Sequence, residues 1–146
     1  MWNEIKDEGA LREFMLAVGG FHDGCVKEIK YVSGAYVDAD LHMRPLNSSR
    51  TLNVIIQRQS SEYPMIELEF GGLKRLDLCP LDEEWTCEIS CASMLFKDGY
   101  VYWCDCEGFD PTEERNGGNT VICAKTLRWR SIGSRMGDGD FYRAAE

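Results

Sequence analysis

After its first twenty residues the chain becomes a series of short runs rich in Val, Ile, Tyr, Trp and Thr. Turn formers break these runs at Ser33-Gly34, Asn47-Ser48-Ser49, Gly71-Gly72 and Asp98-Gly99. Such runs suit pleated strands, and the breaks suit tight connections between neighbours. Parallel strands would need long crossovers, usually helical, and no helical spacing recurs between the runs, so the pattern predicts an antiparallel sheet. One segment departs from it. Leu11, Phe14, Met15 and Val18 recur at helical spacing, Asp7 is placed to cap, and Gly19-Gly20 supplies a stop, which predicts a helix over 8–18. Its single apolar stripe needs a sheet to cover.

Strands are expected over 26–31 and 51–58, the latter with Leu52, Val54 and Ile56 on one face and Asn53, Ile55 and Gln57 on the other. Weaker strands are expected near Tyr36 and His42. A hairpin of 65–70 against 74–78 through Gly71-Gly72-Leu73 would put Leu68 opposite Leu76, Ile66 opposite Leu78 and Glu69 opposite Arg75. A second hairpin joins 86–96 to 100–105, and 121–130 reads as a last long strand. The stretch 106–119, which holds Gly and Pro and lacks periodicity, reads as a loop. The expectation is therefore a mainly β fold: an antiparallel sandwich or half-open barrel of seven to eight strands, closed by an N-terminal α-helix.

A chain of 146 residues is long enough to bury one core, and a single domain over 1–146 is expected. No uncharged apolar run approaches the ~18 residues of a membrane span, and the start, Met1-Trp2-Asn3-Glu4, lacks the basic opening of a secretory signal. A cytoplasmic protein with no membrane partner is the expectation. Seven cysteines, an odd number at scattered spacings, fit reduced thiols better than a secreted disulfide framework.

Charge is uneven. Residues 62–114 carry 14 acids against 3 bases, while the whole chain is at −9. An acidic field of this kind repels phosphate backbones and attracts basic proteins, so no nucleic-acid partner is expected.

The segments FHDGCVKEIKYVSGAYVD, MIELEFGGLKRLDL and FKDGYVYWCD together resemble a group of small uncharacterised bacterial β-rich proteins with a Phe-His-Asp start to the first strand. More loosely, they resemble immunity-type proteins of polymorphic toxin systems. The resemblance spans 21–130 and is motif-like at Phe21-His22-Asp23. The first group implies no activity. The second implies binding and neutralising a toxin, with no catalytic residues.

Few residues have the chemistry for a site. His22 beside Asp23 can form a general base or half a metal site, but neighbours in an extended segment point apart, and the pair also suits a turn linking helix to sheet. A two-histidine metal site, His22 and His42 with Asp23 or Asp40, is the alternative metal set. A two-residue turn at Asp98-Gly99 would put Cys91 opposite Cys106 and beside Cys104, whereas a three-residue loop would separate Cys91 from Cys104. Zinc-knuckle spacing is absent, and the loop from Asp105 has Asp110 where a calcium loop needs glycine, so neither metal nor cofactor is expected. Arg128 and Arg130 flank a core-facing Trp129 and are expected to balance the chain's own acids. Aromatics set among acids, Trp85 with Asp82, Glu83 and Glu84, and Phe109 with Glu107 and Asp110, make the best interface candidates. The leading expectation is thus a non-enzymatic binding domain whose acidic face docks a basic protein. The alternative is a small hydrolase or metal-dependent enzyme centred on His22 and Asp23.

Overall fold

The computed structural model describes residues 1–114, 117–133 and 136–144. Strand β1 (Asn3–Glu4) leads into helix α1 (Glu8–Ala17) and a 3-10 turn, Gly19–Phe21. There follow β2 (Gly24–Val32), β3 (Tyr36–Val37), β4 (Met43–Arg44), β5 (Thr51–Arg58), β6 (Met65–Asp77), β7 (Ser93–Lys97), β8 (Tyr100–Cys104) and β9 (Val121–Ser131). Seven strands form one antiparallel sheet in the order β2-β5-β6-β9-β8-β7, with β1 paired to β9, while β3 and β4 form a separate two-stranded arm. The mainly β, antiparallel architecture with one N-terminal helix is as expected.

The sheet does not close into a barrel, but its ends are tied. Gly24 at the start of β2 bridges Ile89, just ahead of β7, and the Ala92 N–H donates to Gly20 O at 2.8 Å. Gly24 is required there, since a Cβ would come within 2.8 Å of the Phe21 carbonyl oxygen.

Helix α1 begins as its sequence dictates, with the Asp7 carboxylate accepting from the Ala10 N–H at 2.8 Å. Its stripe of Leu11, Phe14 and Val18 is buried against Ile56, Leu68, Phe70, Trp103 and Leu127 of the sheet. The rings of Phe14 and Trp129 lie 4.7 Å apart, and Phe21 meets both Phe14 and Trp103 edge-on. Along β5 the inward residues are Leu52, Val54 and Ile56, and Ile55 on the opposite face packs with Met65 and Ile132.

Three local expectations are corrected. The segment 65–77 is one strand of 13 residues, not a hairpin, because β9 pairs along its whole length from Ile66–Ser131 to Asp77–Val121. A left-handed Gly72 (φ 60°) and a register shift between Leu73 and Arg75 carry the strand through the change of phase from Ile66, Leu68 and Phe70 to Leu73 and Leu76. Glu69 therefore meets Arg128 rather than Arg75, and Leu78 lies beyond the strand.

The strand expected over 86–96 starts only at Ser93, since the backbone before it pairs with Gly24 and Gly20 instead of β8, and Ile89 and Ala92 are buried in the core. The turn at Asp98-Gly99 is the two-residue form, with Lys97 opposite Tyr100 and Ser93 opposite Cys104. Cys91 nevertheless falls outside the ladder, and its thiol lies beside Gly20 and Ala92 O. It forms no cluster with Cys104 and Cys106.

Candidate functional site

The outer sheet face shows which acids are already spoken for. Arg130 donates from Nε and Nη2 to Glu67 Oε2, both at 2.7 Å, and Arg128 does the same to Glu69 Oε1, again both at 2.7 Å. Asn53 bridges the two carboxylates at 3.0 and 3.2 Å, and the Trp2 ring lies 4.4 Å from the Arg128 guanidinium and 4.3 Å from that of Arg130. Trp129 faces the core, so the two arginines do balance the chain's own acids, as expected. Asp77 is likewise paired with Arg75.

The acids outside these pairs concentrate in two connections. Residues 78–89, in the connection from β6 to β7, hold Asp82, Glu83, Glu84 and Glu88 and no base. A turn sets their geometry: the Glu84 N–H donates to Asp82 Oδ1 at 3.2 Å and the Trp85 N–H to Asp82 O at 3.1 Å. This turn holds Trp85 outward, 68% exposed, and the same connection exposes Leu78 (56%) and Leu81 (51%). Three large apolar side chains in the open on one acidic connection are costly to leave in water. Beside them is a cleft of 370 Å³ walled by Val26, Ile29, Leu78, Pro80, Leu81 and Ile89, with Glu88 also in its lining.

The second connection, from Cys106 to Thr120, reaches the same cleft through Gly118, Asn119 and Thr120, and Thr120 Oγ1 accepts from the Cys79 N–H at 3.0 Å. Its predicted anchor is corrected. Phe109 is only 8% exposed, packed with Cys104 and Val121 and 6.0 Å from the Tyr102 ring, so it is a core residue and not an anchor for a partner. Asp110 is turned inward on its own loop, accepting from the Thr112 N–H and hydroxyl, and these bonds hold its carboxyl below the usual carboxylate range. Glu107 is exposed. Leu78, Leu81 and Glu88 were missed from sequence, although Pro80 argues that no strand continues past Leu78.

His22 and Asp23 do meet, with Nε2 to Oδ2 at 3.4 Å, but in the open, with the imidazole side chain 64% exposed. Nδ1 donates to Ser90 O at 2.7 Å, and Asp23, left-handed at φ 57°, donates its N–H to Ile89 O and accepts from the Gln59 N–H. The pair thus ties the 3-10 turn to the β7 approach and to β5. Asp23 lines a shallow depression with Gln57, Arg58 and Gln59, and His22 is not in that lining. His22→Ala is expected to cost less than about 1 kcal/mol, because an exposed hydrogen bond contributes little. Thermal melts check this, and a loss several times larger would give His22 a deeper structural role.

His42 belongs to a different place, the β3–β4 arm, where it lies 3.7 Å from Asp38. Asp38, Asp40 and His42 converge there, but the set excludes Asp23, and Asp38 already accepts from Arg44 and from the backbone N–H groups of Asp40 and His42. No helix among the described residues is long and apolar enough to cross a membrane. Comparison of the chain with protein-family models, with curated proteins and with solved structures finds no match.

Proposed function

We propose that this protein is a non-enzymatic binding module that docks a basic protein on the connection between β6 and β7. The observation that carries the reading is the exposure of Leu78, Leu81 and Trp85 on the twelve-residue stretch 78–89, whose only charges are the carboxylates of Asp82, Glu83, Glu84 and Glu88. An aromatic anchor ringed by charges of one sign is the anatomy of an interface that recognises the opposite sign. The adjoining cleft suits the same partner: its apolar wall fits the methylene stem of a lysine or arginine, with Glu88 placed to meet the charged head. Neutralising a toxin, which the looser likeness at His22-Asp23 to immunity-type proteins implies, is one form such binding would take if the toxin is basic.

The enzyme alternative draws no comparable support. A general base needs a substrate pocket with convergent polar groups, and His22 instead donates to a main-chain carbonyl on an open surface.

Kinetics test the proposal. Exposed charges attract over about a Debye length, ~8 Å at physiological salt, so association with the partner should slow as salt rises. Reversing Glu83 and Glu84 to lysine should slow association tenfold or more, order of magnitude, while Trp85→Ala should act mainly on dissociation. Asp82 is left in place because it builds the turn. Salt-independent association, unchanged by both variants, would refute the proposal.

A further inference from the structure

We propose that Cys104 and Cys106 form a redox-active dithiol, closed to an intramolecular disulfide by exchange with a small disulfide such as oxidised glutathione and reopened by thiol reductants. Their sulfurs lie 3.3 Å apart, already in contact. Spacing alone would not bring this about, since residues i and i+2 of an unbent strand stand roughly 6.6–7.2 Å apart at Cα, at or beyond the upper limit for a disulfide. Here β8 ends at Cys104 and the chain bends at Asp105 and Cys106. The bend is held on both sides. Asp105 donates its N–H to Thr120 O and accepts the Thr120 N–H on Oδ1, at 3.2 and 3.1 Å, and the Cys106 carbonyl accepts from Ser93 Oγ at 2.6 Å.

Burial assigns the two roles. Cys104 is fully buried, and Cys106 is partly exposed at the mouth of the loop. The Cys106 thiolate attacks one sulfur of the small disulfide, forming a mixed disulfide and expelling the other half as a thiolate that takes up a proton. Cys104 then gives up its proton and attacks the Cys106 sulfur, forming the internal bond and releasing the second half. Two protein thiols are oxidised by two electrons, and one small disulfide becomes two thiols. The ring closed by a Cys-x-Cys pair is small and strained, so the bond is easily reduced, as suits a reversible modification. Closure also reaches the neighbouring loop, because the Phe109 N–H donates to the same Ser93 Oγ that holds Cys106.

The test incubates the intact, folded protein with excess oxidised glutathione, blocks the remaining thiols after denaturation, and maps the tryptic peptides by mass. Peptide 98–115 holds these two cysteines and no other. The expected result is loss of two thiols, found as one disulfide within that peptide and restored by dithiothreitol. Cys104→Ser should instead leave a lasting glutathione adduct on Cys106, and Cys106→Ser should leave the peptide unoxidised. The proposal is overturned if wild-type protein keeps both thiols of the peptide, if glutathione stays attached to Cys106, or if the disulfide forms elsewhere, for instance between Cys25 and Cys87.

Discussion

Trp103→Ala should destabilise the protein by about 3–5 kcal/mol, which for a domain of ordinary stability is a large part of the ~5–15 kcal/mol available. Trp103 is fully buried on β8 at the centre of the core, with its ring 6.0 Å from Phe21, which links it to the helix through Phe14. Truncation opens a cavity where helix and sheet meet, and the surrounding strands are paired on both sides and collapse poorly into it. Trp103→Phe should cost far less. Its indole Nε1 is buried and meets no hydrogen-bond acceptor among the described residues, so the benzyl replacement removes an unsatisfied donor along with some volume. Urea unfolding measures both. A Trp103→Ala loss below about 1 kcal/mol would mean that the helix does not dock on this ring.

Arg130→Ala is the second large effect, expected at about 2–4 kcal/mol. Glu67 is 4% exposed near the start of β6, and two nitrogens of Arg130 supply its counter-charge. Removing the guanidinium leaves a buried carboxylate with only neutral donors, the Asn53 amide and the Tyr142 hydroxyl, and no counter-charge among the contacts described. The value is set below that of a fully buried pair because the Arg130 side chain keeps a quarter of its surface in solvent. Replacing both partners, Glu67→Leu with Arg130→Met, should recover most of the loss, since the penalty lies in the orphaned charge. A double variant as unstable as Arg130→Ala would place the cost in packing under Trp2 instead.

How legible this molecule is depends on how far apart in sequence the deciding contacts lie. Helix α1, β5 and the Asp98-Gly99 turn are dictated by residues within a few positions of one another, and they stand where spacing and capping put them. Strand β6 is different. Gly71-Gly72 is a credible loop on local grounds, and only the distant β9, pairing through Gly71–Thr126 and Leu73–Ala124, holds the chain straight through it. A readable signal existed: Glu67 and Glu69 share one strand face, Arg128 and Arg130 share another, and two charges at matching spacing of opposite sign suggest strand neighbours. The candidate site was half visible. Acid clusters are plain in the sequence, but which aromatic among them is core and which is exposed depends on loop packing, and that packing buries Phe109 and leaves Trp85 out.

The proposed binding face is tested most directly by hydrogen exchange on the protein alone and with a basic protein recovered bound to it from the cells that make it. Protection should appear over 78–89, with Trp85 and Leu81 at its centre, and should vanish with the Glu83→Lys, Glu84→Lys variant while the core exchanges as before. Protection confined to the β3–β4 arm, where Tyr36, Val37, Leu41 and Met43 are also exposed, with 78–89 unchanged, would contradict the account.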